Sequence, residues 1–279
     1  GEWTAQDDPA ARLTRGRAGL RIQPWSWMRA GAGIRVDDFS GAKPRAVSRL
    51  FGELSLLFGG TVLFAETTPG LAWSPVSDWS QDQPRPAAGN LRQDAEEVRE
   101  HLRAGWRQRF GEDLRAEALF FLRRAARTPV WLDPDGDGLF ARAVLDRTRM
   151  RGGTVSLAWR VADAIRLSLA YTRQEAEAGD GGPWPYQAGE TGEARWEWTF
   201  GPADAVVGYR LRGARPVLPD PDAPDQPAVH VIFGGVEAAP WPGTSLFLRG
   251  AWAASGPRAE WQGYREPDAT AVAGLRVVF

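Results

Sequence analysis

The feature that most constrains this chain is a period of two in its apolar residues, repeated along almost its whole length and broken by connections that are alternately short and long. The clearest instance runs from Val155 to Thr172. Val155, Leu157, Trp159 and Val161 stand opposite Ser156, Ala158 and Arg160. After a turn at Ala162-Asp163, Ile165, Leu167, Leu169 and Tyr171 stand opposite Arg166, Ser168, Ala170 and Thr172. Successive side chains of a strand point to opposite faces, so each such stretch has one apolar face and one rich in arginine, glycine and small polar residues.

The same pattern recurs from end to end. Ala18, Leu20 and Ile22 oppose Arg17, Gly19 and Arg21, and a turn at Pro24-Trp25-Ser26 leads to Met28–Val36. Leu50, Leu54 and Leu56 precede the hairpin turn Gly59-Gly60. Ala194, Trp196, Trp198 and Phe200 oppose Arg195, Glu197 and Thr199, and Ala205, Val207, Tyr209 and Leu211 follow a turn at Gly201-Pro202-Ala203-Asp204. Leu246, Leu248 and Trp252 follow the turn Pro240-Trp241-Pro242-Gly243. The stretch AEEVREHLRAGWRQRF at residues 95–110 holds strong helix formers. Its alternation, with Leu102, Ala104, Trp106 and Phe110 on one side and His101, Arg103, Arg107 and Arg109 on the other, predicts a strand.

Residues 37–45, 67–94, 125–139, 174–192, 213–227 and 254–268 read as loops from their Pro, Gly, Ser and Asp content. Thirteen strands are visible, and Trp3–Ala11 supplies a fourteenth. The expected fold is all-β: a single antiparallel barrel of about fourteen strands, within twelve to sixteen, with a closed, even count. Residues 1–9 form an N-terminal segment or partial first strand, and residues 10–279 form the barrel.

Composition excludes several classes. No window of about 18 apolar residues marks a transmembrane helix. The mean hydropathy of -0.37 is what alternation leaves in a membrane strand protein, because the apolar residues occupy only every second position. With no cysteine and two histidines, disulfide frameworks and histidine-based metal clusters are not expected; a net charge of -1 gives no reason to expect nucleic acid. Fourteen tryptophans suit a membrane–water interface. The sequence starts at Gly1, which leaves open a removed leader or a longer protein.

The last stretch, ATAVAGLRVVF, alternates Ala271, Ala273, Leu275, Val277 and Phe279 and ends on an aromatic residue. It resembles the C-terminal signature of bacterial outer-membrane β-barrels. That resemblance implies residence in the outer membrane among its lipids and recognition of Phe279, Val277 and Leu275 by the barrel-assembly machinery. It also implies short periplasmic turns and long extracellular loops. In size, the chain resembles porins and the barrels of exopolysaccharide-export proteins, which implies a pore or export channel with periplasmic or secretion partners.

The inward residues then set selectivity. Arg103, Arg107, Arg109, Arg160, Arg166, Arg195, Arg210, Arg249 and Arg276, with Glu197, are the candidate lumen lining. They predict either an anion-leaning pore or an Arg/Glu ladder that bridges the strands of a filled barrel. A closed barrel whose external loops bind a partner is the alternative of another class. Asp133, Asp135 and Asp137 in DPDGDG resemble the start of a calcium loop, but position twelve is Val144 instead of glutamate, so calcium is a weak expectation. Outer-membrane lipid hydrolases place serine beside histidine. Neither His101 nor His230 has a serine within two residues, so a non-enzyme is expected.

Overall fold

The structure is a computed structural model that describes residues 2–8, 11–39, 45–56, 60–72, 96–133, 141–179, 181–255, 259–261, 264–265 and 267–277. Every regular element among them is a strand. The strands are β1 (Glu2–Asp8), β2 (Ala11–Trp25), β3 (Met28–Phe39), β4 (Arg45–Leu56), β5 (Thr61–Thr67), β6 (Gly70–Ala72), β7 (Glu96–Phe110), β8 (Leu114–Leu132) and β9 (Ala141–Ala162). There follow β10 (Ile165–Glu177), β11 (Glu190–Phe200), β12 (Ala203–Arg212), β13 (Val229–Trp241), β14 (Thr244–Ala253), β15 (Ala259–Trp261), β16 (Tyr264–Arg265) and β17 (Ala269–Val277). Fourteen of them pair in one antiparallel path, β1-β2-β3-β4-β5-β7-β8-β9-β10-β11-β12-β13-β14-β17. Among the described residues β1 and β17 are the two edges of this path and do not pair with each other. The expected sheet is present; the closure of the barrel is not seen.

Register keeps the two faces separate across the sheet. Leu63 pairs with Trp106, Trp106 with Ala118 and Ala118 with Val155, so outward residues meet outward residues. Because one slip would turn a strand's apolar set to the wrong side, this agreement ties the whole sheet to the alternation. The helix formers of residues 96–110 are overridden by the pairing of β7 with β5 and β8. No helix is long and apolar enough to cross a membrane.

Leu20, Ile34, Leu50, Phe120, Val155, Val236 and Leu248 are exposed on the outward face. Aromatic residues flank this belt. Trp25, Phe110, Trp159, Phe200 and Trp241 stand at the short-turn end, and Tyr171, Tyr209 and Trp252 stand toward the other. Such a belt between aromatic girdles is the surface a barrel offers to lipid.

Several boundaries differ from the sequence expectation. Pro24 and Pro240 do not stand in turns. They lie at strand irregularities between Ile22 and Trp25 and between Ala238 and Trp241. Each shift resets the parity, so that Trp25 meets Met28 and Trp241 meets Thr244 on the apolar side. The loops expected at 125–139 and 174–192 are shorter, because β8 reaches Leu132 and β10 reaches Glu177. β9 has 22 residues, about 70 Å along the strand at 3.3 Å per residue. That far exceeds an apolar band about 25 Å tall, so the β8–β9 ribbon stands well clear of the belt at the long-loop end.

The buried apolar residues gather at that end. Leu71, Val98, Ala125 and Val130 form one group in the chain, and Ala178, Trp184, Ala188, Val217, Val231 and Ala253 form another. They build a crown above a wall whose inner face is polar.

Candidate functional site

The inner face is organised as two kinds of joint, most of them between strands. In the first, a phenylalanine lies over a glycine of the next strand: Phe51 over Gly31, Phe64 over Gly105, Phe233 over Gly208 and Phe247 over Gly274. A Cβ on Gly31 would sit 2.1 Å from the Phe51 ring, so only glycine admits the ring there. An arginine covers each ring from above. Arg21 lies 5.1 Å from the Phe51 centroid, Arg107 5.3 Å from Phe64, Arg210 5.4 Å from Phe233 and Arg249 5.3 Å from Phe247.

The second kind is an ion pair. Arg103 meets Glu66 at 2.9 Å, Arg107 meets Glu117 at 2.8 Å and Arg210 meets Glu193 at 3.1 Å. Arg195 meets Glu197 at 2.7 Å, Arg160 meets Asp113 at 2.7 Å, and Arg249 and Arg276 share Glu237 at 3.1 and 3.7 Å. The ten expected lining residues therefore all stand on one face, and most of the arginines are neutralised by a neighbour. Arg109 and Arg166 are different: among the described residues neither is in an ion pair, although Arg166 stands opposite Glu197.

The crown closes down over this face. β5 leaves β4 after Thr67 pairs with Leu50, and the chain continues as β6 against Val98, Glu97 and Glu96 of β7. Two inward side chains of β3 hold it. Asp37, fully buried, accepts the Leu71 N–H at 2.8 Å and pairs with Arg35 at 3.0 Å. Arg35 also donates to the Pro69 carbonyl at 2.6 Å. Since Arg35 and Asp37 share the parity of the inner face, β6 crosses the inside of β4 to reach them. Gly70 supplies the positive φ of 138° this path needs.

Beside it, the Thr128 hydroxyl donates to Glu96 at 3.2 Å, Thr128 and Thr148 share a hydrogen bond at 2.6 Å, and Arg123 pairs with Glu96. Glu96 lies above the apolar belt. Burial pushes its carboxyl above the ordinary value, against the opposing pull of Arg123 and the hydrogen bonds from Thr128 and Arg123.

Further along the sheet, at the same end, the segments after β10 and β12 meet. Tyr186 N–H donates to the Pro216 carbonyl at 2.7 Å, and the buried Arg215 donates to Gln226 at 2.8 Å. The inward Gln174 amide reaches the Ala188 carbonyl at 3.0 Å.

Other expectations fall apart from this site. Leu275 and Val277 lie on the outward face of β17, and Phe279 lies outside the described residues. Asp133 is buried at the end of β8, while Asp135 and Asp137 lie outside the described residues. No cluster of three metal-ligating side chains occurs among the described residues. His230 meets Ser255 through its backbone N–H at 3.0 Å, and its ring contacts the Tyr209 hydroxyl, which is not a nucleophile–base geometry. Phe51, Phe64, Phe233 and Phe247 are absent from the expected set; an inward phenylalanine opposite an inward glycine was the available signal.

No family model and no curated protein matches the sequence. Solved structures do match. The copper transporter OprC superposes on 96% of this chain with a TM-score of 0.66 at 13% identity, over 48% of its own length. A ferric enterobactin receptor of Pseudomonas aeruginosa gives a TM-score of 0.68 at 13% identity, with 96% of this chain and 45% of the receptor covered. The siderophore receptor PirA of Acinetobacter baumannii gives 0.67 at 12%, with 96% of this chain and 46% of PirA covered. The chain thus spans about half the length of the structures it matches. By their names these neighbours are a transporter and two receptors. With the lipid-facing belt, the fold is that of an outer-membrane β-barrel wall.

Proposed function

We propose that this chain is barrel wall of an outer-membrane receptor that takes up a solute from the cell surface, with a metal or its chelate as the solute class. The observation that carries the reading is the crown. Two groups of buried loop and strand residues, one including Leu71 and the other Trp184, lie at the long-loop end, tied to the inward Arg35, Asp37 and Gln174 by hydrogen bonds. An open diffusion pore has no use for a buried core at its mouth, whereas a receptor needs a shaped, rigid surface there. The names of the neighbours, a copper transporter and two siderophore receptors, supply the solute class.

In this reading the inner arginines and glutamates brace the wall, β17 is the strand offered to the barrel-assembly machinery, and periplasmic partners complete transport. β1 and β17 close the wall by pairing with strands, since an open edge does not persist in lipid.

The test uses the purified protein. Binding of copper and of a ferric catecholate is followed by tryptophan fluorescence, and conductance is measured in a planar bilayer. Saturable binding without a steady conductance is expected. A steady conductance with no binding would sink the receptor reading and restore the anion-leaning pore or polysaccharide channel. Loop-dependent protein binding with neither property would favour the closed interaction barrel.

A further inference from the structure

We propose that the inner face carries, at its short-turn end, a site for a multiply charged oxyanion, built by Arg109, Arg115 and Arg166. Two features of the register point to it. Arg109 stands directly opposite Arg115 on β7 and β8, and Arg160 stands directly opposite Arg166 on β9 and β10. Like charges directly opposite on one face destabilise a sheet, and a local rule broken without compensation marks a functional place. Elsewhere on this face Arg103, Arg107, Arg210, Arg249 and Arg276 are met by carboxylates, Arg21 lies over the Phe51 ring, and in the like pair Arg17–Arg35 the second arginine is held by Asp37. Here Asp113 engages Arg160 and Glu197 engages Arg195, each at 2.7 Å. Among the described residues, that leaves Arg109, Arg115 and Arg166 in no ion pair, with Arg166 also standing opposite the engaged Glu197 on β11.

The shape fits a ligand as well as the charge does. The row that begins Arg109, Arg115 continues through Ala158 and Ser168 to Arg195. The two small residues line a hollow of about 330 Å³ together with Arg109, Arg115, Arg160 and Arg166. The nearby acids are Glu112 on the turn and the engaged Asp113 and Glu197, so the hollow keeps a positive excess. Guanidinium groups in forked geometry suit phosphate or carboxylate oxygens. The short turns place this site at the periplasmic mouth, where an anionic solute or group would pass on leaving the wall. The assignment needs only the inner face and is independent of whether the solute is a metal chelate.

Isothermal titration of the full chain in detergent micelles tests it, with tripolyphosphate, citrate and chloride as separate probes. Saturable binding of tripolyphosphate is expected, weakening with added salt, and no saturable binding of chloride. Citrate binding of equal strength would define an oxyanion site of either chemistry; tripolyphosphate alone would define a phosphate site. The triple variant Arg109→Gln, Arg115→Gln, Arg166→Gln should weaken binding at least about tenfold. Arg210→Gln, which removes an arginine already paired with Glu193, should change it by less than about twofold. The single variant Arg115→Gln, expected to weaken binding about threefold, keeps the test alive if the triple variant does not assemble. No saturable binding by the unaltered protein, or equal losses in the triple variant and Arg210→Gln, would overturn the assignment.

Discussion

Replacing Asp37 by alanine tests the joint that folds the crown inward. The carboxylate is fully buried, and its charge-assisted contacts include the Leu71 N–H at 2.8 Å and Arg35 at 3.0 Å. A hydrogen bond to a charged group contributes about 1.5–3 kcal/mol, and removing one partner of a buried pair costs about 3–5 kcal/mol because the other charge stays behind. Arg35 is about one-fifth exposed and keeps the Pro69 carbonyl at 2.6 Å, which lowers the penalty on its side. The expected cost is therefore about 3 kcal/mol, the low end of that range. It falls on local opening rather than on the sheet, since β6 has three residues and a ladder only to β7. Amide exchange of residues 70–72 should speed up by about a hundredfold or more, while the β9–β10 amides keep their protection. Unchanged exchange at Leu71 would refute the claim that Asp37 holds β6. Equal acceleration in β9 would show that the crown and the wall open as one unit.

Three further outcomes follow from the same geometry. Gly208→Ala would place a Cβ 2.3 Å from the Phe233 ring; an overpacking cost of about 1–3 kcal/mol is expected in urea unfolding followed by tryptophan fluorescence, and an unchanged midpoint would deny the glycine–phenylalanine joint. Leu248→Arg, on the exposed outward face, should cost about 2–4 kcal/mol in lipid bilayers; a negligible cost would remove β14 from the lipid-facing belt. Burial raises the Glu96 pKa above 4.5, so the folded crown holds this proton more tightly than the unfolded chain. Its contribution to stability is full below the ordinary value and is lost as pH rises through the raised one. Protection at Thr128 and Thr148, taken relative to the intrinsic exchange rate at each pH, should be higher at about pH 5 than at about pH 7.5, the difference vanishing in Glu96→Gln; the opposite trend would mean that the Arg123 pair outweighs burial.

The wall was legible because its information is local. Each apolar residue at a period of two needs only its own strand to declare a face, so β9, β10 and β11 could be drawn from Val155, Leu167 and Trp196 alone. The strand bounds were less legible where two local signals compete. Pro24 and Pro240 look like turn residues, yet each sits at an irregularity that returns a tryptophan to the lipid side. The extensions of β8 and β10 into expected loops carry Arg, Thr and Glu above the belt, where no apolar alternation marks a strand and only pairing with β9 makes one.

The site was harder to read because its meaning lies between strands. Arg107 and Arg109 are two residues apart on the same face of β7, and nothing in their own strand separates them. Arg107 faces Glu117, while Arg109 faces Arg115. One is a brace and the other is left for a ligand, and the difference is the identity of a residue on the next strand at one register. An inward arginine count therefore overstates the positive charge a solute meets. The charge that remains is a property of pairing, and among the described residues it includes Arg109, Arg115 and Arg166, near the short turns and far from the crown at the long-loop end.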